Sequence, residues 1–543
     1  MVAMATTIPN NNNGFVVRVV EDDAGREIEI SALRLSIRAA FLTMVFLPVT
    51  SSAWLAIVLP IFRRRCWYAW LRHSLGHAGA AFVKWAQWSA TRADLFPEAL
   101  RKSLSRLQAS APVHGRAHTA SVVRRATGEQ IEAFFEAFDP VPVASGSIAQ
   151  VHRARRRGRD VAVKVRHPRV ALALALDAEL MIAASRLVDK FVPWLRLSET
   201  VAQFSATLAG QADLGAEAVA LDKFRKRFRG WRDVGFPEPL FSHPSLLVES
   251  FEKGQLVNSI KTPVSPAVGA YLVNRGEDVY LKMLLEDRVM HADLHPGNLL
   301  WDHKRLVLVD AGMVATLTRD ETEAFVGLIE ALGAADALAA ARCVRLFSRS
   351  NARMTPVQVR AFEADVVGLF RDRCGGYGTG VDFGDVVRGV LDLVRKHEVR
   401  VEANFATLII NALCLDGMAR DLYPDYSVLD GAKPLLTVHR RLVSTHGGRY
   451  KVRKAPPRFL GRFIFTRLCL PLAWRFKRRH DDGILRHTIK NHRDTTSLVV
   501  VPNELPRRDD NGARRDRAAA AAAAARFEVV EAPPPPPPRA DGL

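Results

Sequence analysis

Hydrophobic and polar residues follow two different periods along this chain, and the change between them predicts its organisation. Over residues 64–138, aromatic and aliphatic residues recur at helical spacing, first from Trp67 to Trp88 and again from Ile131 to Phe138. The following stretch, VPVASGSIAQVHRARRRGRDVAVKVRHP, alternates as strands do. We therefore expect a helical extension over 64–138 and a strand-rich segment directly after it.

Helical spacing returns for most of the remaining chain. Helices are predicted over 171–192 and 199–228, and a strand is predicted at Ser245–Ser250. Beyond that strand, helical spacing dominates apart from the polar stretch VMHADLHPGNLLWDHKRLVLVDAG. A strand-rich part followed by a helix-rich part predicts an α+β, bilobal, protein-kinase-like fold. The predicted lobes are residues 139–252 and residues 253–436.

The beginning of the chain divides into a polar and an apolar segment. Residues 1–30 contain an asparagine run and no periodicity, which predicts a flexible terminus. Residues 31–63 are predicted to associate with a membrane, because Ala39–Phe62 is 24 residues long without a formal charge. That length is sufficient to cross a hydrocarbon core of about 30 Å. Pro48 and Pro60 interrupt it, so a pair of short helices on a membrane surface or against protein is an equal alternative.

Charge distinguishes the end of the chain from an ordinary globular protein. The hydrophobic content of 48% and charged content of 25% are typical, but the net charge is +20. Between Arg440 and Arg493, 16 Lys and Arg residues stand against two acids. We predict a basic amphipathic tail over 437–500 that binds anionic membrane lipid, and no nucleic acid, because no nucleic-acid-binding motif accompanies the charge. Residues 501–543, with alanine and proline runs, are predicted to be disordered.

The polar stretch contains the residue types of a phosphoryl-transfer site. Asp293 stands two residues after His291 and five before Asn298, the spacing of a kinase catalytic loop, where the Asp orients a hydroxyl and the Asn binds metal. Asp310 ends the apolar run RLVLVDAG, where a second metal-binding Asp is expected. Lys164 ends the VAVK strand, where kinases keep the lysine that contacts the nucleotide phosphates. Their combined order and spacing predict a site for ATP and Mg²⁺.

Five motifs extend this pattern into a family resemblance. KWAQWSATRADLFPEAL, ASGSIAQVHRA, VAVKVRHP, HADLHPGNLL and VDAG occur in this order and resemble the aarF/UbiB family of ABC1-type atypical kinases over roughly residues 70–430. The sequence pattern QW-S-TR-DLF is similar to that of the aarF domain-containing kinase two branch. The resemblance implies a protein-kinase-like fold with an added helical segment and ATP binding or hydrolysis more than protein phosphorylation. It also implies isoprenoid quinone metabolism in mitochondria, bacteria or plastids.

The resemblance assigns two further groups of site residues. The family's K-x-G-Q motif, which lies over the active site and restricts large substrates, falls on Lys84 and Gln87, with Ala86 replacing the glycine. An Ala-rich loop stands in the family where other kinases have a glycine-rich loop, and Gly146 within it puts the nucleotide preference in doubt. The loop residues implied to contact the nucleotide are Ala144, Ser145, Gly146 and Ser147.

A third implied residue is the helix-borne glutamate that pairs with the strand lysine in the family. Aligned on the pattern DL..EA, its position is occupied by Gln211. Glu217 is then the nearest carboxylate able to neutralise Lys164, and an ordinary helix-surface acid is the equal alternative.

Residues and resemblance together predict a membrane-associated kinase or ATPase that uses ATP and Mg²⁺. Quinone precursors or a quinone-biosynthesis complex are the candidate partners. A protein serine/threonine kinase and a small-molecule kinase remain alternatives, and a basic nucleic-acid-binding protein is less favoured. Residues 1–30 are too acidic for a typical import signal, so we expect a mitochondrial location with a plastid as the alternative.

Overall fold

The structure, a computed structural model, describes most of the chain as far as residue 443. The predicted basic tail, 437–500, begins inside the last described helix, Val428–Val443, which therefore crosses the predicted boundary. The rest of that tail and the low-complexity segment 501–543 lie outside the described residues. The described ranges are 6–9, 16–21, 27–92, 96–107, 113–191, 197–260, 264–302 and 304–443.

A small antiparallel sheet lies within the N-terminal segment that was expected to be flexible. Its strands, in the order β1-β2-β3, are Thr6–Pro9, Val16–Glu21 and Glu27–Glu29. The sequence of β2, VVRVVE, is rich in β-branched residues, which favour extended backbone. The prediction overlooked this short strand signal beside the asparagine run.

The apolar segment and the extension fold as successive helices. Pro48 lies inside the first helix without ending it, so the predicted pair of short helices is instead one long helix with two short ones after it. Ala32–Val58 is long and apolar enough to cross a membrane. The helices are α1 (Ala32–Ser51), α2 (Ala53–Val58), α3 (Pro60–Phe62), α4 (Tyr68–Ala78), α5 (Ala80–Thr91) and α6 (Glu98–Leu104), with a π-helical turn at Arg63–Trp67.

An antiparallel sheet covered by two helices forms the strand-rich part. Its strand order is β4-β6-β7-β10-β9, and β5 pairs with β6. Val122 and Val123 on α7 pack against Val161 and Val163 of the sheet, whose alternating apolar residues face these helices. The elements are α7 (Arg116–Thr127), α8 (Ile131–Phe134), β4 (Ala137–Phe138), β5 (Ala144–Ser145), β6 (Ala149–Arg156), β7 (Arg159–Arg166), β9 (Pro239–His243) and β10 (Leu246–Ser250).

Three helices lie between β7 and β9 in the sequence. The predicted helix at 171–192 is α9, Val170–Phe191. The predicted helix at 199–228 is divided into α10, Leu197–Gln211, and α11, Leu214–Arg227. Asp213 causes the division, because its side chain accepts hydrogen bonds from two backbone N–H groups at the start of α11 and so caps a new helix.

The remaining part combines short strands with seven helices in the described ranges. Two antiparallel strand pairs, β13 with β14 and β12 with β15, frame the polar stretch. The strands are β8 (Val234–Gly235), β11 (Gln255–Leu256), β12 (Val289–His291), β13 (Leu299–Trp301), β14 (Leu306–Leu308) and β15 (Val314–Thr316). The helices are α12 (Pro266–Lys282), α13 (Arg319–Gly333), α14 (Ala337–Arg345), α15 (Pro356–Arg373), α16 (Phe383–Lys396), α17 (Ala403–Leu422) and α18 (Val428–Val443).

A buried ion pair joins the apolar N-terminal helix to the rest of the molecule. The guanidinium of Arg38 on α1 donates two hydrogen bonds to the carboxylate of Asp177 on α9, at 2.7 and 2.9 Å, and a third to the backbone carbonyl of Ala78. The Asp177 side chain is only 1% exposed. Burial raises the pKa of Asp177, and the Arg38 guanidinium opposes that rise. The bidentate geometry compensates a carboxylate that water cannot reach.

We predict that Arg38→Met destabilises the protein by about 3 kcal/mol, because it leaves the Asp177 carboxylate buried without its cation. Urea unfolding of the full chain measures the loss. Arg34→Met is the matched control, since Arg34 is exposed on the same helix. The double variant Arg38→Met/Asp177→Asn should recover part of the loss. Equal stability of the two single variants would contradict the proposed contribution of the ion pair.

Candidate active site

The hairpin formed by β13 and β14 brings the ends of the polar stretch together. Leu299 pairs with Leu308, so Asn298 lies opposite Val309, whose N–H donates to the Asn298 carbonyl at 3.1 Å. The next residue, Asp310, therefore lies close to Asn298. The Asn298 side-chain amide also donates to the backbone carbonyl of Asp293, at 3.0 Å. The structure thus gathers the three polar residues that the spacing singled out.

His291 fixes the loop that carries Asp293. Its side chain is fully buried, and its Nε2 donates a hydrogen bond to the backbone carbonyl of Asp310. Its Nδ1 accepts from the backbone N–H of Asp293, at 3.1 Å. A carbonyl can only accept, so His291 is protonated on Nε2 in its neutral form. One imidazole thereby connects the two loops that bear the predicted catalytic and metal-binding aspartates.

Asn411 on α17 is a second support of this loop, and the sequence did not reveal it. Its Oδ1 accepts from the backbone N–H of Leu294 at 3.2 Å, and its Nδ2 donates to the backbone carbonyl of His291 at 2.6 Å. The side chain is completely buried. Nothing in the local sequence of an apolar helix marks this asparagine, because its partners lie more than a hundred residues earlier.

The ammonium of Lys164 lies among buried acids behind these loops. Its Nζ donates to Glu217 Oε1 at 2.5 Å and to the backbone carbonyl of Val309 at 3.0 Å. A second carboxylate, Glu249 on β10, approaches Nζ to 3.3 Å. Burial alone would lower the pKa of Lys164, but Glu217, Glu249 and Asp310 outweigh it and raise that pKa. Lys164 is therefore held charged, and Glu217 is the carboxylate paired with it.

Glu249 is a further site acid that the sequence did not identify. Burial raises its pKa to about 8, although the Lys164 ammonium acts in the opposite direction. Its position in the apolar strand LLVES could have indicated a buried partner, because a charged residue on a buried strand requires one.

The carboxylate of Asp310 is kept ionised by its surroundings. Burial alone would raise the pKa of Asp310, but the Lys164 ammonium, the Gly312 N–H at 2.8 Å and the more distant charge of Lys84 hold that pKa below its usual range. Gly312 allows this close turn, because a Cβ there would come within 3.2 Å of Asp310 Oδ1. An ionised Asp310 is the form in which a carboxylate binds a metal ion.

The family resemblance singled out residues that lie on α5 and α10, and these residues differ in how they relate to the site. Lys84 lies near enough to Asp310 to act on its charge. Gln87 instead donates to the backbone carbonyl of Leu107, at 3.4 Å, within the helical extension. Ala86 is fully buried, so its methyl group is accommodated in the core of the extension. Gln211 lies beside Gly312, where it does not take the place of Glu217.

The predicted nucleotide loop begins in β5 and turns back into β6. The Gly146 N–H donates to the Ala149 carbonyl at 2.9 Å and closes the turn. A Cβ at Gly146 would meet that carbonyl at an ordinary 3.6 Å, so the turn itself does not require glycine. The Ser147 hydroxyl is buried without a hydrogen-bond partner among the residues that the structure describes.

A directed chain of neutral histidines holds this loop from behind. His167 Nε2 donates to the Gly146 carbonyl at 2.9 Å, so its Nδ1 is free to accept from His114 Nδ1–H at 2.7 Å. His114 Nε2 then accepts from the hydroxyl of Thr119, at 3.1 Å. The backbone N–H of His114 donates to Gln150 Oε1 at 3.0 Å. Each imidazole has one tautomer that fits, and the sequence alone did not reveal this network.

The residues present fit a magnesium ion shared with phosphates. In the described part of the chain, no group of three or more His, Cys, Asp and Glu side chains would hold a metal by itself. Mg²⁺ commonly takes one or two protein ligands and completes its octahedron with phosphate oxygens and water. Asp310 offers a carboxylate, and Asn298 offers its Oδ1, because its nitrogen is already used towards Asp293.

The histidine chain predicts a pH dependence of stability. Burial, and the neighbouring His118 and His167, lower the pKa of His114 to about 3, whereas an unfolded histidine has a pKa near 6.5. The stability contributed by neutral His114 is therefore complete above pH 6.5 and is lost as the pH falls towards 3. The free energy of unfolding should fall as the pH is lowered below 6.5. We expect the slope of this fall against pH to be smaller in His114→Asn, by an amount that corresponds to up to about one proton per molecule.

Urea unfolding at a series of pH values measures this difference. Asn keeps a donor near the position of Nδ1 but does not titrate, and subtraction of the two curves removes the contribution of other groups. Parallel curves for wild type and His114→Asn would rule out the buried neutral state of His114.

Comparisons with known proteins show which family of domains the chain resembles. Residues 106–344 match the model of the ABC1 atypical kinase-like domain. A mitochondrial ABC1 family protein of Schizosaccharomyces pombe is 29% identical over 450 residues, which cover 68% of this chain and 65% of that protein. A probable serine/threonine-protein kinase of Dictyostelium discoideum, abkC, is 28% identical over 486 residues, covering 75% of this chain and 70% of that protein.

A bacterial relative is similar to the chain to the same extent. A probable protein kinase UbiB of Aeromonas hydrophila is 29% identical over 371 residues, which cover 66% of this chain and 67% of that protein. The match to the Schizosaccharomyces pombe protein spans slightly less than two thirds of its length. The narrower aarF domain-containing kinase two branch stays a prediction. Over residues 106–344 the chain thus matches the ABC1 atypical kinase-like domain, and most of its length is similar to relatives named ABC1 family protein or UbiB.

Proposed function

We propose that this protein is an ATP- and Mg²⁺-dependent atypical kinase or ATPase of the UbiB type. One observation carries the proposal: the Lys164 ammonium is paired with Glu217 and contacts the carbonyl that precedes Asp310. This contact joins a cation suited to nucleotide phosphates to the loop suited to their metal ion. Phosphoryl transfer needs chiefly such positioning and charge stabilisation, and few covalent steps from the protein.

The proposed roles follow from the position of each group. Lys164 binds the nucleotide phosphates, and Glu217 keeps its side chain extended towards them. Asn298 and Asp310 hold the magnesium ion, which when bound neutralises phosphate charge. Asp293 accepts a hydrogen bond from the attacking hydroxyl or water and orients it, while His291 maintains the loop. The residues of the loop Ala144–Ser147 contact the nucleotide.

The acceptor is proposed to be small, or water. The charge of Lys84 on α5 contributes to lowering the pKa of Asp310, and the family resemblance implies that the motif containing Lys84 restricts large substrates. A protein serine/threonine kinase is the alternative, and the name of the Dictyostelium discoideum relative favours it. Turnover that releases phosphate without labelling protein separates the two. Quinone precursors remain the proposed substrate class or partner on the strength of the family resemblance.

Membrane association in the mitochondrion is the second part of the proposal. The mitochondrial name of the Schizosaccharomyces pombe relative supports the location. The surface of the N-terminal helices supports the association. Large apolar residues three or four positions apart are exposed along α1, and others are exposed on α2 and α3. Three arginines follow this apolar surface. Its main residues are Leu33, Ile37, Phe41, Met44, Leu47, Trp54, Ile57 and Ile61, and the arginines are Arg63, Arg64 and Arg65.

We predict that Asp310→Asn lowers Mg²⁺-dependent ATP turnover by at least about 100-fold, because the amide no longer supplies a charged metal ligand. Release of phosphate by the purified full chain measures the loss. Asp320→Asn, an exposed acid at the start of α13, is the matched control and should turn over normally. Undiminished turnover by Asp310→Asn would refute the assignment of the site.

We predict that Ile57→Ser/Ile61→Ser weakens binding to phosphatidylcholine vesicles containing cardiolipin by about tenfold or more. The reason is that burial of the two isoleucine side chains in the bilayer drives insertion. Both side chains are about three-quarters exposed, at 76% and 74%. Vesicle cosedimentation measures the affinity. Leu346→Ser/Val357→Ser removes comparable exposed surface elsewhere and should bind as wild type does.

Salt separates this apolar contribution from that of the basic tail. At about 1 M salt the Debye length is about 3 Å, so the contribution of residues 440–493 should decline while that of Ile57 and Ile61 persists. Equal vesicle binding by the two double variants would exclude the N-terminal helices as the membrane surface.

A further inference from the structure

Glu249 occupies an unusual position at the back of the proposed nucleotide site. Strand β10 pairs with β7 so that Leu247 lies opposite Lys164, and Glu249 projects from the same face of the sheet two residues later. Its side chain is 3% exposed, and its Oε1 lies 3.3 Å from Lys164 Nζ. Its Oε2 is buried without a hydrogen-bond partner among the described residues. A carboxylate is thus buried at the lysine with half of its hydrogen-bonding capacity unused.

The lysine has no donor to spare for a ligand in this arrangement. An ammonium group carries three N–H donors. Acceptors on the protein lie within reach of all three: Glu217 at 2.5 Å, the Val309 carbonyl at 3.0 Å and Glu249 at 3.3 Å. A nucleotide phosphate that binds Lys164 must therefore displace one of these acceptors.

The three acceptors are not equally replaceable. Glu217 makes the shortest contact and also lies 3.4 Å from the N–H of Ala311, which donates to it. The Val309 carbonyl belongs to backbone whose position is set by the β13–β14 register. Glu249 makes the longest contact, and within the described part of the chain its Oε2 has no hydrogen-bond partner. Above its pKa of about 8 it is also an anion facing the position that anionic phosphates must take.

We propose that Glu249 is a positioning residue that competes with the nucleotide phosphates for Lys164 and thereby sets the affinity of the site for nucleotides. The inference rests on the proposed function, because it takes Lys164 as the phosphate-binding cation. Glu217 and Glu249 then have opposite effects on nucleotide affinity. Glu217 positions Lys164 to bind phosphate, and Glu249 competes with phosphate for the Lys164 ammonium. The competition acts only on ligands that carry phosphates and not on a nucleoside.

The test is equilibrium binding of ADP and of adenosine to the full chain in the presence of Mg²⁺ at pH 9, where Glu249, with a pKa of about 8, is ionised. Glu249→Gln keeps the shape of the side chain and removes its charge. We expect this variant to bind ADP about fivefold to tenfold more tightly than wild type, because one charge-assisted competitor for the ammonium is weakened. Adenosine affinity should not change. Glu217→Gln is the matched variant from the other side of the lysine, and it should bind ADP more weakly.

A double-mutant cycle shows whether the effect passes through the lysine. In a Lys164→Met background, Glu249→Gln should no longer improve ADP binding. Glu249→Met, an apolar residue of similar length, should improve binding in the same direction as Glu249→Gln. Thermal unfolding of each variant verifies that it is folded.

Several results would overturn the inference while wild-type binding of ADP leaves the proposed function intact. They are unchanged or weaker ADP binding by Glu249→Gln, an equal gain for adenosine, and a gain that persists in Lys164→Met. Absence of ADP binding by folded wild type and folded Glu249→Gln alike would overturn the proposed function, and this inference with it.

Discussion

A single buried ammonium, that of Lys164, connects the parts of the chain from which the candidate site is built. Its partners come from helix α11, strand β10 and the backbone just before Asp310, which are far apart in sequence. Charges removed from water are tolerated only when they are paired. Glu217, Glu249 and Asp310 are buried around this one cation, and of the three acids only Asp310 has its pKa lowered. An ionised Asp310 fits the proposed metal-donor set of Asn298 and Asp310.

The local part of this site could be predicted from the sequence, because local spacing determines it. Asp293, Asn298 and Asp310 lie on one short hairpin and its flanking loops, whose register follows from the apolar runs. The VAVK strand likewise identified Lys164. The kinase-like fold could be predicted from the change of period and from the order of motifs, which the ABC1 domain match supports. Element boundaries were less accurate, as at the Asp213 cap that divides one predicted helix into two.

The residues that sequence reasoning missed have partners that are distant along the chain. Asn411 supports a loop more than a hundred residues earlier. His114 meets His167, which is 53 residues later. Glu249 acquires its meaning only from the strand pairing that puts it beside Lys164. Tertiary contacts of this kind leave no periodic or spacing signal. The choice between Glu217 and Gln211 was open for the same reason, since it depends on how α10 and α11 are arranged.

Helix α1 differs from an ordinary surface helix, because large apolar residues are exposed on it while Arg38 is directed towards the protein. Arg38 contacts both Asp177 and the carbonyl of Ala78, the residue before Gly79, whose φ of +114° joins α4 to α5. Arg38 therefore connects α1 directly to the turn at which α5, the helix that carries Lys84, begins. A movement of α1 would have to break these contacts or carry the α4–α5 turn with it.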